Sequence, residues 1–499
     1  MKDMNTPLQQ RLATSPRFQH GCEAVVPVMA WLVITLPLWL SPFHPAVVAY
    51  LILAYNVYFF YKSTTTVYYS VKSYKEIEFH NKIDYRAKAK KSALTKTLKH
   101  FIIIPNYKEP MYKLQETIDS IADGDYPHHT LYLVLAFEKR EEEARAKAQD
   151  IRKMYKKKFA DILETYHVLT PNEAPGKASN QTHAARQVET YADDRKMNFK
   201  DVVITVCDAD SVMPKNYFSY LSHEYLHDTE RLYHFYWAPV LLYNNFKQLP
   251  FFVRMQATLS SILRLAFLSQ KDKLIQVSTY STSLHLLRDV GYWDVDIIPE
   301  DWHIHLQAFF KYGDRVRTIP LYTLINGDAA YSGNMLKTFQ TRYEQEKRWA
   351  WGVSDIGYTL KRSFTEDVVP VWDRVKKFMY LTETHLFWPT SFFILTISSY
   401  IPPIINPPFK RTVLGFLLPQ VASVILTVST SFILLYVFYD IKIRKQLKQE
   451  TKAWAIPFLF IQWYLLPVVS LVLSSLPALD AHTRMIFGKK MIYKVTEKV

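Results

Sequence analysis

Hydrophobic residues gather in two blocks towards the ends of this chain and fall in short runs through its middle. Residues 24–61 carry no formal charge, with His44 near their centre. A helix needs about 20 apolar residues to span a bilayer, so this stretch is too long for one span and suits two short ones. Ser41, Pro42, Phe43, His44 and Pro45 supply a turn between them. A cleaved signal peptide fits less well, because a second apolar segment follows and no small-residue cleavage site is evident. Three further spans are expected over residues 386–404, 412–439 and 453–479. Between the blocks, residues 97–330 alternate. The runs ending at Pro105, at 131–137 and at 201–207 read as strands, with a weak strand at 167–170. Residues 112–122, 139–160 and 178–191 have helical spacing. Alternation of this kind predicts an α/β domain with a parallel sheet. In such sheets ligands sit beyond the carboxyl ends of the strands.

Length and charge sharpen this picture. At 499 residues the chain suggests two or three units. The formal charge of +15 is not one basic arm. Lys62, Lys72, Lys75 and Lys82 follow the first apolar block, and Arg374, Lys376 and Lys377 precede the second. Lys442, Arg444, Lys445, Lys448 and Lys452 interrupt the second block. Basic flanks mark the cytoplasmic side of a membrane. They point to anionic lipid and an anionic diphosphate substrate as partners, not to nucleic acid. Five complete spans would then leave the basic tail (Arg484, Lys489, Lys490, Lys494) on the opposite side. Either one segment does not cross fully or the count of spans is wrong. Two cysteines, Cys22 and Cys207, form no disulfide framework or CxxC site, which fits a reducing setting. A transporter would carry ionisable residues at mid-membrane depth, and the apolar blocks hold almost none.

Acid-bearing motifs stand at the predicted strand ends. The first strand ends in Pro105-Asn106-Tyr107-Lys108-Glu109, the second in Glu138, and the strongest in Asp208-Ala209-Asp210. Two carboxylates flanking one residue can serve a hard divalent cation such as Mg²⁺ or Mn²⁺, or can simply end a strand. Lys177, at a helix start, can meet a phosphate or stand exposed. Glu300 and Asp301 are adjacent acids. Enclosed together they raise each other's pKa, which suits a general base, while at a helix start they can also serve the dipole. Gln345, Arg348 and Trp349 share a helix face that offers an amide, a fixed cation and an indole. That face can equally be an interfacial helix with Trp349 and Trp351 at the headgroups.

The order IIIPNYKE, GKAS, DAD, PEDWH, QEKRW, with apolar spans on both sides, resembles the family-2 glycosyltransferases. It looks most like the membrane-integrated branch that contains cellulose, chitin and hyaluronan synthases. The resemblance implies a GT-A (Rossmann-like) α/β catalytic domain and inverting transfer of a sugar to a growing polysaccharide. The donor it implies is a nucleotide sugar, with a UDP-sugar favoured. It implies a nucleotide pocket at Pro105, Tyr107 and Glu109, and a base contact at Glu138 where the family usually has Asp. Lys177 would approach the diphosphate, and Asp208 and Asp210 would hold Mg²⁺ or Mn²⁺. Asp301, beside Glu300, would be the catalytic base. Gln345, Arg348 and Trp349 would close over donor and acceptor. The run from Tyr280 to His285 lacks the glycines expected of an acceptor-side loop.

The implied organisation has seven parts: a cytoplasmic N-terminus (1–23), a transmembrane hairpin (24–61), a basic juxtamembrane segment (62–96), the GT-A domain (97–330), interfacial helices (331–377), a C-terminal transmembrane region (378–479) and a basic tail (480–499). The expected location is the plasma membrane, with a glycan or lipid acceptor and surrounding lipids as partners. Addition of a single sugar to a lipid is the alternative. A non-catalytic nucleotide-binding scaffold would not need both the metal carboxylates and a base.

Overall fold

A computed structural model describes residues 7–90, 97–447, 449, 456–489 and 491. Lys448, Lys452, Lys490 and Lys494 lie outside the described residues. The central region is a seven-stranded sheet in the order β3-β2-β1-β4-β7-β5-β8. β1 (Lys99–Asn106), β2 (Leu131–Glu138), β3 (Asp161–His167) and β4 (Val202–Val206) are mutually parallel. β5 (Phe235–Trp237) runs parallel to β8 (Thr318–Pro320). β7 (Tyr280–Ser283) lies antiparallel between β4 and β5, so the sheet is mixed and not wholly parallel. β6 (Val240–Leu241) and β9 (Ile325–Asn326) form a separate parallel pair.

Helices cover both faces of the sheet. That is why Phe101, Ile102, Ile103 and Ile104 are all fully buried and read as a continuous apolar run. The helix Lys177–Asp194 packs on β1, β2 and β3. Three expectations shift. The weak strand is β3, at Asp161–His167 and not at 167–170. Only Ala144–Tyr155 of the long charged stretch is helical. The run Tyr280–Ser283 is an interior strand, not a loop.

The apolar blocks form long helices. Pro16–Leu40 and Pro45–His80 are joined by the expected turn. At about 1.5 Å per residue, the 36-residue second helix outreaches a hydrocarbon core of about 30 Å. Its charged half therefore stands on the central domain, where Ser73 Oγ donates to Ser269 Oγ at 2.7 Å. Val371–Thr396 runs outward again and continues through short turns to Asn406, whose side chain donates to the Pro42 carbonyl at 3.3 Å. Val413–Gln446 comes back, and its Asp440 accepts from the Tyr243 hydroxyl at 2.6 Å.

Among the described residues five helices are long and apolar enough to cross a membrane, but they are not the five expected. Phe251–Leu268 enters, while residues 386–404 are split between the end of Val371–Thr396 and shorter pieces. In Phe251–Leu268, 56% of the apolar window is buried by protein, against 22–25% in the other four. The last segment, Ile456–Ile486, packs on the apolar helices Pro16–Leu40 and Phe251–Leu268. Leu459, Trp463, Val469 and Leu473 all pack in one cluster with Met255 and Val437.

Candidate functional site

Parallel register brings the strand ends together. Asn106 pairs with Phe137, and Ile103 with Val206. The tips after β1, β2 and β4 therefore open on one edge. Glu138 is buried and ion-paired with Arg140, whose guanidinium lies 4.2 Å over the Tyr107 ring. The Pro105–Glu109 tip is pinned from behind. Lys108, in the left-handed region at φ 62°, donates its backbone N–H to Glu141 at 2.8 Å. Lys147 joins Glu141 (2.7 Å) to the Glu109 carbonyl (2.8 Å). No motif singles out Glu141 or Lys147 in the sequence.

Lys177 opens the helix Lys177–Asp194, and its ammonium lies 2.7 Å from Asp208 and 3.2 Å from Glu300. Burial works against this charge, but the two carboxylates outweigh it and hold the lysine well above its ordinary pKa. Burial raises the Glu300 and Asp301 carboxyls, and Lys177 partly offsets this. Both head the helix Glu300–Tyr312. Asp301 accepts backbone N–H bonds from Ser278 and Trp302, each at 2.9 Å. Asp210 accepts from the Asp328 N–H at 3.0 Å, and Asp328 pairs with Lys113 at 2.6 Å.

Asp208 and Asp210 offer hard oxygen donors of the kind Mg²⁺ or Mn²⁺ takes. Lys177 already sits as a counter-charge between Asp208 and Glu300, so this group of carboxylates accommodates positive charge. Among the described residues no three or more His, Cys, Asp or Glu side chains form a metal cage. A cation here would complete its shell with phosphate oxygens or water.

The helix Met335–Ala350 carries Gln345, Arg348 and Trp349. Gln345 is buried, and its oxygen accepts from Arg342 at 2.5 Å. Arg342 is fully buried, ion-paired with Glu346, and stacked 4.7 Å from the Trp349 ring. Arg264 lies over the same indole at 5.3 Å. Arg348 is partly exposed. The indole thus sits against two arginines that the sequence motif does not name. Two residues after Asp301, His303 is held by Asp355 (2.7 Å) and Asp294 (2.9 Å).

A family model described as glycosyl transferase family group 2 matches residues 203–473, more than half of the chain. A second, glycosyltransferase-like family 2, matches residues 100–304. The chain belongs to the family-2 glycosyltransferases and carries their GT-A-type catalytic domain. With its long apolar helices it is a membrane-integrated member of that family. Among solved structures, it is similar to a mannosyltransferase from Pyrobaculum calidifontis in complex with GDP-Man and Mn²⁺. That match has 14% identity and a TM-score of 0.40, covering 78% of this chain and 99% of that one. It is also similar to S. aureus TarS 1–349 in complex with UDP-GlcNAc, at 12% identity and a TM-score of 0.36, covering 67% and 91%. No curated protein matches the chain.

Proposed function

We propose that this enzyme moves a sugar from a nucleotide-diphosphate sugar, a UDP-sugar by preference, to a growing polysaccharide, with inversion at the anomeric carbon. The observation that carries the reading is Lys177 bridging Asp208 and Glu300, with Asp301 bonded to the same chain segment that contacts Asp208. One site thereby joins groups suited to an anionic diphosphate and a buried carboxylate suited to a proton. Asp301 takes the proton from the acceptor hydroxyl as the new C–O bond forms at the anomeric carbon. The bond from that carbon to phosphate breaks, and the nucleotide diphosphate leaves with the electron pair. Lys177 meets the developing charge, and Arg348 approaches it from the Met335–Ala350 helix. A divalent cation on Asp208 and Asp210 would supply further charge neutralisation on the diphosphate. Tyr107, Pro105, Glu109 and Glu138 would line the base side. Trp349, with Gln345 behind it, would face the sugar and acceptor.

Basic residues flanking the apolar helices support a cytoplasmic catalytic domain, residues 97–330, in the plasma membrane. The test is nucleotide diphosphate release by detergent-purified protein from a panel of UDP- and GDP-sugars, with Mn²⁺, Mg²⁺ or chelator. Metal-dependent release with one donor and a polymeric product is expected. A single-sugar lipid product would replace the polysaccharide with the alternative acceptor. Absence of release with every donor and acceptor would overturn the transfer itself.

A further inference from the structure

Ser278 has its backbone in the left-handed region, at φ 67°. Few residues other than glycine adopt it, because Cβ crowds the backbone. Among the described residues four non-glycine residues do so, and two of them, Lys108 and Ser278, border the candidate site. A strained conformation retained in such a place points to a task for the side chain. Ser278 has three polar groups, and each meets a different member of the site. Its N–H donates to Asp301 Oδ2 at 2.9 Å. Its carbonyl accepts from the Lys177 ammonium at 2.9 Å. Its hydroxyl donates to Asp208 Oδ2. Its neighbours hold the segment still. Gln276, fully buried, donates to the Asp301 carbonyl at 3.0 Å, and buried Thr279 accepts from the Asp208 N–H at 3.1 Å.

We propose that Ser278 is a positioning residue that sets the catalytic carboxylate, the lysine and the metal-binding carboxylate against one another, with its hydroxyl orienting Asp208 for a divalent cation. Glycine would take the same φ without strain and keep both backbone contacts, so only the hydroxyl explains a serine here. Hydrogen bonds to a ligating carboxylate fix which oxygen faces the metal, and losing one typically weakens metal affinity or activity by about 10–100-fold. The inference rests on the glycosyl-transfer reading, and the two can fail separately.

The test uses full-length protein in detergent, with UDP and with GDP as probes. Mn²⁺ binding is followed by the EPR signal of the free ion, and nucleotide binding by calorimetry with and without Mn²⁺. Ser278→Ala removes the hydroxyl and keeps the strain; Ser278→Gly removes both. Both variants are expected to lose about 10–100-fold in Mn²⁺-dependent nucleotide binding, with metal-free binding and melting temperature close to those of the parent. If Ser278→Ala does not fold, Ser278→Gly alone carries the comparison. Parent-like Mn²⁺ affinity in Ser278→Gly would overturn the role of the hydroxyl while leaving glycosyl transfer standing. Failure of the parent itself to bind either nucleotide with Mn²⁺ would remove the proposal together with the reading beneath it.

Discussion

The two halves of the catalytic sheet are built differently. Strands β1 to β4 fall within residues 99–206, run parallel, and are covered by helices that pack directly on them. Strands β5, β7 and β8 come from residues 235–320, with β7 reversed among its neighbours. The helices beside this second half lean on the membrane-side elements. Phe251–Leu268 packs on Pro45–His80, and Glu300–Tyr312 packs on Val353–Thr365. The latter in turn lies so close to Pro16–Leu40 that a Cβ at Gly357 would stand 2.7 Å from Glu23. The first half carries Asp208 and Asp210 at the end of β4; the second carries Ser278, Glu300 and Asp301. On the proposed reading, the metal carboxylates and the base therefore sit in parts of the molecule held in place by different neighbours. They should separate under mutation.

The largest separation is expected at Asp301. Asp301→Asn keeps the shape of the carboxylate and removes its capacity for a proton. Turnover should fall by about 10²–10⁴-fold, while calorimetry shows nucleotide affinity close to that of the parent. Retained turnover would take Asp301 out of the role of base. Glu300→Gln in parallel tells the two acids apart, because Glu300 faces Lys177 and should affect nucleotide binding as well.

The first half answers in the opposite sense. Asp208→Ala combined with Asp210→Ala should abolish the metal dependence of nucleotide binding and lower turnover by about a thousandfold, as several kcal/mol of charge stabilisation is lost. Equal metal dependence in parent and variant would dissolve the contrast between the halves.

The halves also differed in how far they could be read from sequence. β1, β2 and β4 announce themselves because both faces are buried and the runs are continuously apolar; Val202–Val206 is β-branched and buried throughout. Their acidic tips follow directly from the rule about carboxyl ends. β3 was displaced by a few residues because Asp161–His167 is an edge strand with a half-exposed, polar pattern. β7 was missed for a physical reason. Tyr280–Ser283 is fully buried yet rich in hydroxyls, which are satisfied sideways: Ser281 bonds Thr205 at 2.8 Å and Tyr217 at 3.1 Å. Apolar periodicity says nothing about such a strand. Ser278 belongs to the same blind spot, since no pattern of residue types signals a serine at positive φ. Phe251–Leu268 shows the limit from the other side. Its composition matches a span, and only its partners reveal that protein covers most of it.

A smaller effect probes the link between the second half and the interfacial helices. His303 lies between Asp355 and Asp294. Burial opposes its charge, but the two carboxylates outweigh burial and raise the imidazole to about 9. Burial raises the Asp355 carboxyl too, and His303, 2.7 Å away, partly offsets this. The folded-state value exceeds the unfolded one. The stabilisation is therefore complete below the ordinary histidine value of about 6.5 and is lost as pH rises through about 9. His303→Ala should cost about 2–3 kcal/mol, at or below the low end for a broken buried pair because Asp294 is half exposed. Melting temperatures between neutral and alkaline pH check both parts: the parent should decline towards alkaline pH, and the variant should start lower with a flatter slope. A parallel decline in the two proteins would assign the alkaline loss to other groups.

The smallest effect should come from the contact with Val413–Gln446. Tyr243 donates to Asp440, which also holds Arg444 at 2.6 Å, and all three are buried. Tyr243→Phe removes one hydrogen bond to a charge but leaves the ion pair, so a cost of about 1.5 kcal/mol is expected. Tyr243 adjoins Asn244, which donates to Asp328 at 2.9 Å, and the Asp328 N–H holds Asp210. The membrane-side helix thus reaches a carboxylate of the first half through only a few contacts. If the two halves are as separate as their construction suggests, Tyr243→Phe lowers the melting temperature slightly and leaves Mn²⁺-dependent nucleotide binding within twofold. A tenfold loss of that binding at the same modest thermal cost would mean that the helix helps to set Asp210. In that case the first half too depends on the membrane for its working geometry.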